Sequence, residues 1–425
     1  MSLAATPLHA LDSPAEDHHG EGARLRALGP VVGVELPGGV AAWLITRQEV
    51  GRQVLADERF VKDPAAWGAL RRGEVPADWL LTPFVTVRSM TTATGLDHRR
   101  LRAPLARAFT ARRVRSLEPR VAALTGELLD AMAEMPARSA GEPVDLRACF
   151  ARPLPIRVIC ELFGVPGQRA PRVRALCGQL FGTISSTPEE VAAVRVALRT
   201  EIAELIDERR AHPDDDLTTA LIDAGGAAAD EDAANAHQED GLSESELSES
   251  ELVDTLMLML VAGHETTVNL LVNAVRALLT HPAQLALLRD GREPWTAAVE
   301  ETLRWDPPVA NFPFRYARCD VELAGRTVSE GEPVLLGYTA FGRDADQHGP
   351  DAGEFDLARS PARQHLTFGH GIHHCLGAPL ARLEASVALP ALFARFPKLS
   401  LGQADPPPLG SLIFNSVRGL PVMLE

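Results

Sequence analysis

Long apolar runs are missing from this chain of 425 residues. The longest candidate, residues 252–262, is interrupted by an aspartate and a threonine, whereas a membrane span needs roughly 20 apolar residues. The first 20 residues carry three acids and lack the cationic and apolar segments of a secretory signal. We therefore expect a cytoplasmic protein with no membrane anchor, in which residues 1–20 form a flexible acidic leader.

Positive charge is also scarce. The chain has 42 lysines and arginines against 57 aspartates and glutamates, and its formal net charge is -15. The only lysines are Lys62 and Lys398. Such a chain repels phosphate backbones, so nucleic acid is a poor default partner.

Cysteine is the third scarcity. Five cysteines, at positions 149, 160, 177, 319 and 375, form no CxxC pair. They are too few for a disulfide framework, and a covalently attached c-type haem would need a CxxCH motif. We expect reduced thiols, most of them ordinary buried cysteines.

What is plentiful is apolar residues, which make up 46% of the chain and are ample for a large core. Apolar positions recur at three- and four-residue spacing, the pattern of an amphipathic helix. The helices predicted on this basis cover residues 97–135, 153–163, 188–210 and 379–396, the last with Pro390 as a kink.

A further long helix is predicted from Ser248 to about Thr280. The five residues SESEL occur twice in succession before it, and the second copy offers Ser248 and Glu251 as a capping box. The preceding segment 227–241 is small, acidic and almost without large apolar residues, so we interpret it as a solvated loop.

Short apolar runs beside turn residues predict a small sheet. Residues 31–36 and 40–45 flank a Pro-Gly-Gly turn, and further strands are expected at 322–327 and 333–336. The sequence therefore predicts a mainly α fold with a small β component, in a single domain over residues 21–425.

One cysteine stands out by its surroundings. Cys375 lies in the glycine-rich segment FGHGIHHCLG, immediately before a helical pattern. Glycines let the backbone approach a ligand closely, and a helix N-terminus adds positive potential. Both favour the metal-binding thiolate. The alternative is a buried cysteine in a turn.

Other metal chemistries fit this segment poorly. His373 and His374 flank the cysteine and His264 opens an apparent HExxH motif, but position 268 is valine, which excludes a zincin site. What remains for a lone thiolate in a glycine-lined turn is axial ligation of a non-covalently bound haem.

Within the long helix, the sequence AGHETT is unusual. A glycine in a helix interior costs roughly 1 kcal/mol, so Gly263 needs a packing or ligand reason. Ala262, Gly263 and Thr266 fall on one face and leave a shelf for something flat, with Glu265 beside it. The alternative is a close helix crossing, with Glu265 solvated and Thr266 bonded back to a carbonyl.

A third signal is the pair Glu301 and Arg304, an i, i+3 ion pair in a predicted helix. By itself it is weak, because such pairs occur on many solvated helix faces.

In this order and spacing the three motifs resemble the cytochrome P450 superfamily, the haem-thiolate monooxygenases. The resemblance extends from about residue 31 to the end, and the FxxGxxxCxG pattern is its most specific part. The stretches HETT, EETLRW, FRYA, HLTFGHG and CLGAPLARLEA are similar to those of soluble actinobacterial members. The resemblance implies the cytochrome P450 fold, one haem-binding domain and haem b as the cofactor.

The resemblance also implies roles for residues. Cys375 corresponds to the proximal iron ligand, Thr266 and Glu265 to the alcohol and acid that supply protons for oxygen activation, and Glu301 with Arg304 to the structural ion pair. Buried haem propionates need cations and hydrogen-bond donors. The implied propionate contacts are His98, Arg102, Arg315 and His373, and the other implied haem contacts are Phe368, Gly369, Gly371, Gly377, Ala262 and Gly263.

The chain departs from the family pattern in the region that completes the ion-pair network. The asparagine usual before Arg343 and Asp344 is absent, and Glu354 lies nearest to the position of a usual arginine. Arg359 is the candidate for the third member of the network.

The substrate pocket implied by the resemblance is apolar and bulky, with few fixed charges. Because large apolar side chains are common in cores, we expect roughly half of its residues to be ordinary core residues. Asn311 and Asn415 are candidates for orienting a substrate hydroxyl or carbonyl. The implied lining is Phe84, Val85, Met90, Phe181, Val261, Val309, Asn311, Phe312, Ile413 and Phe414.

Electrons must come from outside, since the chain has no nucleotide-binding GxGxxG and no reductase-like extension. Seven arginines lie between Asp97 and Arg115 against a single acid. Some should face the haem, and the rest could dock an acidic carrier, with a solvated helix face as the alternative. The resemblance implies a ferredoxin with its NAD(P)H-dependent reductase.

The sequence thus predicts a monooxygenase that hydroxylates an unactivated C–H bond of a medium to large apolar substrate, of polyketide, macrolide, steroid or terpenoid type. Two alternatives are a peroxide-driven haem-thiolate peroxygenase and a non-catalytic haem protein. The peroxygenase is disfavoured because such enzymes typically lack the acid and alcohol pair.

Overall fold

Helices account for most of the computed structural model, which describes residues 3–12, 14–76, 78–79, 81–181, 188–232, 247–359 and 364–424. Within these residues the helices are α1 (His18–Leu28), α2 (Gln48–Ala56), α3 (Gly68–Arg71), α4 (Thr82–Val85), α5 (Gly95–Ala108), α6 (Ala111–Ser116), α7 (Glu118–Ala133), α8 (Pro136–Ala140), α9 (Pro153–Phe163), α10 (Ala170–Phe181), α11 (Pro188–Ala211), α12 (Leu217–Asp232), α13 (Glu249–Thr280), α14 (Pro282–Arg289), α15 (Trp295–Trp305), α16 (Tyr338–Gly342), α17 (Ala345–His348) and α18 (Ala378–Arg395).

The strands form three small sheets. The largest has the order β1-β2-β3-β9-β6-β4, a second has the order β10-β11-β5, and β7 pairs with β8. The strands are β1 (His9–Ala10), β2 (Val31–Leu36), β3 (Val40–Ile45), β4 (Phe60–Val61), β5 (Val144–Asp145), β6 (Asn311–Ala317), β7 (Val321–Leu323), β8 (Arg326–Val328), β9 (Pro333–Gly337), β10 (Ser400–Leu401) and β11 (Pro421–Met423).

The predicted hairpin is confirmed residue for residue. Val31 pairs with Ile45 and Leu36 with Val40, so the two apolar runs meet across the Pro-Gly-Gly turn. The parallel pairing of β3 with β9 then joins this hairpin to the later strands. A mainly α fold with a small sheet is therefore confirmed.

The long helix α13 begins where the sequence predicted. The Ser248 side chain accepts a hydrogen bond from the Glu251 backbone and the Glu251 side chain accepts one from the Ser248 backbone, which completes the capping box. By length and composition this helix also qualifies as a membrane span, but 67% of its most apolar window is buried inside the protein. Its apolar residues belong to the main core.

The apolar pattern over residues 97–135 is broken into three helices rather than one. The Thr110 side chain caps α6 by accepting from the Arg113 backbone N–H. Pro119 lies in the first turn of α7, where it starts a helix more readily than it continues one. The pattern showed which residues are apolar but not where the axis changes direction.

The solvated loop expected at 227–241 is wrong in its first part, because α12 continues through Asp232. Residues 227–229 are alanines, and alanine has the highest helix propensity. Residues 233–241 and the first SESEL copy up to residue 246 lie outside the described residues.

The flexible leader expected at residues 1–20 also differs from the structure. In the described part of this segment, β1 pairs in parallel with β2, and α1 begins at His18. Leu11 and Ala15 are buried in an apolar cluster that includes Trp67 and Trp79, and Leu3 is buried in a second cluster that includes Trp43 of β3. Their apolar side chains bind the segment to the sheet despite its acidic character.

Candidate functional site

The loop that carries Cys375 depends on its glycines. Gly369 and Gly371 have φ angles of 73° and 71°, in the left-handed region that favours glycine. A Cβ at Gly371 would also lie only 2.8 Å from the Leu55 carbonyl oxygen. The Cys375 N–H donates to the Phe368 carbonyl at 2.8 Å, which closes the loop.

The Cys375 side chain is accessible to solvent, although protein atoms surround it closely. This desolvation raises the pKa of the thiol, while the backbone N–H groups of Gly377 and Ala378, at the start of α18, act to lower it. Metal coordination deprotonates a thiol outright. Among the described residues, no cluster of three His, Cys, Asp or Glu side chains able to hold a metal occurs.

Arginines and histidines lie together beside this loop. The His98 and His373 rings lie 4.3 Å apart between centroids, and the Nε2 atoms of both are buried without a partner in the described structure. Arg102 donates to the His374 carbonyl at 2.6 Å, and Arg315 to the Phe60 carbonyl at 3.3 Å. Desolvation, followed by the nearby cations, lowers the pKa of His373 to about 2.

Lys62 is a further cation of this cluster, which the sequence analysis missed. Its Nζ lies 4.4 Å from the centroid of the Phe312 ring. Burial, and then Arg315, lower its pKa to about 7. The pairing of β4 with β6 places Val61 opposite Tyr316 and so brings Lys62 beside Arg315. No pattern in the sequence indicates this strand pairing, so the sequence offered no signal for Lys62.

The cluster lacks a counter-charge. Neither Lys62, Arg102 nor Arg315 forms an ion pair with a carboxylate in the described part of the chain. Lys62 and Arg315 are buried and Arg102 is half-buried, and burying cations without an anion is costly. An exposed thiol beside these cations and two unpartnered imidazole nitrogens fits haem b, because a thiolate can bind its iron and its two propionates would supply the missing negative charge.

The AGHETT stretch presents two different faces. Ala262, Gly263 and Thr266 are exposed or half-buried, whereas His264 and Glu265 are buried. Thr266 Oγ1 donates to the Ala262 carbonyl at 2.8 Å, as the structural alternative expected. A Cβ at Gly263 would meet only Ile159 Cδ1, at 3.4 Å, so no close contact inside the protein requires this glycine.

Glu265 is buried, so the alternative of a helix crossing with a solvated Glu265 is wrong for this residue. Its carboxylate forms a buried ion pair with Arg147, a residue that the sequence analysis did not single out. Burial raises the pKa of Glu265, while Arg147 and Arg152 oppose the shift. Glu265 Oε2 is buried without a hydrogen-bond partner in the described structure.

The ion pair of α15 lies at the centre of a network. Glu301 Oε1 and Arg304 Nη2 are 2.5 Å apart, and both side chains are fully buried. Arg304 also donates to the carbonyls of Gly342, Ala352 and Glu354. Arg359 Nε lies 3.6 Å from Glu301 Oε1, so the third charge of the network is Arg359.

The residues expected to line the pocket differ in burial and in their contacts. Val85 and Ile413 are buried core residues. Phe84 and Phe414 meet at 6.4 Å between ring centroids, and Val309 forms a β-bridge with Phe414. Met90, Val261 and Phe312 are half-buried, and the side chain of Phe181 lies outside what the structure describes.

The two asparagines expected to orient a substrate are engaged within the protein. Asn311 Nδ2 donates to the Leu412 carbonyl at 3.1 Å. Asn415 Nδ2 donates to Asp306 Oδ1 at 2.7 Å and to the Pro307 carbonyl at 2.9 Å. Their amide N–H groups join chain segments that are about a hundred residues apart in the sequence, which sequence patterns do not show.

The arginine-rich segment is less free than its sequence suggested. Arg100 pairs with Asp97 and Glu251, and Arg113 pairs with Asp215. Arg107 donates to the Ala224 carbonyl. Within the described residues, the exposed arginines of this segment that lack an acidic partner are Arg99, Arg107, Arg112 and Arg115.

Comparison with known proteins supports the same identification. The profile of the family described as Cytochrome P450 matches residues 76–290 and 295–416. The chain is 41% identical over 421 residues to the 2-hydroxy-5-methyl-1-naphthoate 7-hydroxylase of Streptomyces carzinostaticus, with 98% of this chain and 97% of that protein covered. It is 42% identical over 374 residues to the mycinamicin IV hydroxylase/epoxidase of Micromonospora griseorubida, with 88% and 86% covered.

A solved structure gives the same result. CYP154C4 from Streptomyces sp. ATCC 11861 with bound testosterone matches at a TM-score of 0.86 and 43% identity, covering 99% of this chain and 98% of that one. Fold and site together define a haem protein with a cysteine in a glycine-rich loop. The chain belongs to the cytochrome P450 family. It is a monooxygenase whose cofactor is haem b.

Proposed function

We propose that this P450 hydroxylates an unactivated C–H bond of a medium to large apolar molecule, of polyketide, macrolide, steroid or terpenoid type. The oxidant is O2, and the electrons come from an external ferredoxin and its NAD(P)H-dependent reductase in the cytoplasm. The observation that carries the proposal is the accessible Cys375 thiol beside a buried cation cluster that lacks a counter-charge.

Cys375 would hold the haem iron through its thiolate, and haem, when bound, would supply the redox chemistry that activates O2. The cations and donors that would hold its propionates are His98, Arg102, Arg315, His373 and Lys62. The glycines of the loop and the small residues of α13 let protein backbone approach the flat cofactor. The other cofactor contacts are Phe368, Gly369, Gly371, Gly377, Ala262 and Gly263.

Thr266 and Glu265 are assigned to proton transfer. Thr266 Oγ1 already donates to the carbonyl one turn earlier, so its lone pairs face outward and can hold a water or a protonated group. Glu265, the adjacent buried acid, holds the proton that Thr266 passes on, and burial raises its pKa. Arg147 limits that rise because it stabilises the carboxylate.

The substrate side is apolar. Phe84, Val309 and Phe414 form a surface without fixed charge, which suits a hydrocarbon skeleton. Relatives support the size class, since their names give a naphthoate, the macrolide mycinamicin IV and testosterone as molecules that they act on or bind.

The electron carrier docks on the face around α6. Arg112 and Arg115 are exposed on α6, and Arg99 is exposed on the preceding helix α5. A mainly apolar cavity of about 290 Å³ lies between α6, α15 and α18, with Arg115 and Arg382 at its wall. Cations around an apolar patch suit an acidic iron–sulfur protein, because charge speeds encounter and apolar area holds the complex.

The substrate is tested by optical titration of the purified ferric enzyme with steroids, macrolactones, terpenes, fatty acids and naphthoates. A saturable high-spin shift of the Soret band identifies the substrate class, and product analysis with ferredoxin and reductase follows. A shift only with molecules that lack a large apolar skeleton would contradict the apolar assignment.

The ligand assignment is tested by Cys375→Ser. Its reduced carbon monoxide complex should lose the red-shifted Soret band, because serine does not supply a thiolate. Cys319→Ser is the matched control, since Cys319 is also exposed but lies in a different part of the chain. Persistence of the band in Cys375→Ser would rule out this ligand.

The alcohol is tested by Thr266→Ala. In a monooxygenase this change should uncouple NAD(P)H oxidation from product formation while peroxide-driven turnover is comparatively intact. Thr267→Ala, whose hydroxyl also donates one turn back at 2.9 Å, is the control. Unchanged coupling in Thr266→Ala would favour the peroxygenase alternative, and absence of any product would favour a non-catalytic haem protein.

A further inference from the structure

Buried polar side chains lead away from Glu265 toward the N-terminal helix α1. Arg147, which pairs with Glu265, also donates to Asn269 Oδ1 at 2.8 Å and to Ser416 Oγ at 3.3 Å. Arg147 is 1% exposed, so this connection runs entirely inside the protein. It links the helix that carries Thr266 with the chain segment after residue 408.

A cavity begins where this connection ends. It has a volume of about 140 Å³ and lies between the start of α1 and residues 408–416. Asn415 and Ser416 are buried and form its inner wall, whereas Glu16 and Asp17 are exposed and form its outer wall. Ser416 therefore lines the cavity and its hydroxyl also contacts Arg147, the partner of Glu265.

The polar atoms along this path are incompletely satisfied by protein. Glu265 Oε2, Arg147 Nε, Asn269 Nδ2 and His19 Nδ1 are buried with no hydrogen-bond partner in the described structure. Buried polar groups are normally paired, and ordered water serves where protein does not. A cavity of about 140 Å³ has room for several water molecules.

We propose that this cavity, together with Ser416 and Arg147, is a water route through which Glu265 takes up protons from solvent. The inference rests on the proposed role of Glu265 and extends it. For each proton that Glu265 passes toward Thr266, one proton enters from solvent at the outer wall, so the charge of the path is unchanged after a cycle.

The two inner residues have different tasks. The Ser416 hydroxyl donates and accepts, so it can pass a proton along a chain of waters. Arg147 keeps its protons at all accessible pH values and is therefore a positioning residue, which orients the Glu265 carboxylate and anchors water through its remaining N–H groups.

The route is tested with variants that leave Glu265 and Thr266 in place. Ala15→Leu fills the cavity from the α1 side, because Ala15 is buried in its wall. Ser416→Ala removes the relaying hydroxyl. Thr218→Val is the control, since it removes an equally buried hydroxyl that makes one hydrogen bond, to the Phe163 carbonyl.

The first readout needs no turnover. In the resting holoenzyme, the infrared C=O band of protonated Glu265, assigned by its absence in Glu265→Gln, is followed after transfer into D2O. We expect hydrogen–deuterium exchange of this carboxyl to slow about tenfold in Ala15→Leu and Ser416→Ala and to be unchanged in Thr218→Val, a difference of about 1.4 kcal/mol in barrier. Unchanged exchange in both variants overturns the route.

The second readout is the coupling of NAD(P)H oxidation to product. It should fall in both route variants, with a larger solvent isotope effect. If Ala15→Leu fails to fold, Ser416→Ala decides the outcome. Arg147→Gln should raise the pH at which the Glu265 band appears, whereas Arg147→Lys should restore it, because a merely structural role would not respond to charge.

Failure of the route and failure of the proposed function are distinguishable. If Glu265→Gln uncouples turnover but the route variants change neither exchange nor coupling, the proton role of Glu265 stands and the route is wrong. If Glu265→Gln leaves coupling unchanged, the proposed acid itself is wrong.

Discussion

At the scale of single residues, buried ionisable side chains without a partner allow the most specific predictions about this protein. Lys62 and Glu384 are both buried, and neither forms an ion pair within the described structure. A charge in such a place is tolerated only if a ligand neutralises it or if its protonation changes. The two residues illustrate these two solutions.

Lys62→Met is predicted to weaken haem binding. A charge-assisted hydrogen bond to a propionate is worth about 1.5–3 kcal/mol, so haem loss to apomyoglobin should be roughly ten- to a hundredfold faster. Lys62→Arg should retain most of the affinity. Lys398→Met is the control, because Lys398 is exposed and distant in the chain. If Lys62→Met loses haem at the wild-type rate, Lys62 does not bind a propionate.

Glu384 predicts a pH dependence of stability. Burial in α18 raises its pKa to about 8. The folded state thus holds a proton that the unfolded chain releases above its ordinary pKa near 4.5. The stability that neutral Glu384 contributes to the folded state is complete below pH 4.5 and is lost as the pH rises toward about 8. Over this range the free energy of unfolding should fall by up to about 1.4 kcal/mol per pH unit.

The measurement is urea unfolding at a series of pH values from 5 to 8. Glu384→Gln should remove this part of the pH slope, because glutamine does not ionise. A slope that is the same in the wild type and in Glu384→Gln would show that Glu384 is ionised in the folded protein.

Among the elements, α13 has the strongest local definition. Its capping box satisfies two backbone N–H groups at the point where the helix starts. Ser248→Ala is predicted to cost about 1 kcal/mol of stability, measured from the midpoint of urea unfolding. Ser250→Ala is the matched control, because Ser250 lies within the helix and its hydroxyl makes only a long hydrogen bond, 3.5 Å, to Asp254 Oδ2. Equal losses in the two variants would contradict the cap.

For the molecule as a whole, the N-terminal segment is part of the folded domain. Leu11 is 6% exposed and packs in the cluster formed by β2, β3 and the aromatic residues Trp67 and Trp79. Leu11→Ala is predicted to destabilise the protein by about 2–3 kcal/mol, through lost burial and a cavity. Leu8→Ala should change stability by less than about 0.5 kcal/mol, because Leu8 is 38% exposed. A tolerated Leu11→Ala would restore the idea of a flexible leader.

Much of the architecture was predictable because local rules governed it. The hairpin β2–β3, the helices α9 and α11 and the capped start of α13 follow from apolar spacing and turn chemistry alone. The predictions for residues 1–20 and 227–232 were wrong where composition was used in place of pattern. Acidic character said nothing of Leu3 and Leu11, whose burial depends on a sheet formed by residues far along the chain.

The sequence by itself determined the class of protein, since the glycines around Cys375, the AGHETT stretch and the pair of Glu301 and Arg304 lie within short segments. The tertiary structure decided which charges meet. Lys62 lies beside Arg315 through a strand pair. Glu265 pairs with Arg147, and Arg147 in turn contacts Ser416, although each pair is more than a hundred residues apart in the chain. Desolvation and Coulomb energies depend on distance in space, so only the folded chain specifies the cation cluster and the path to Glu265.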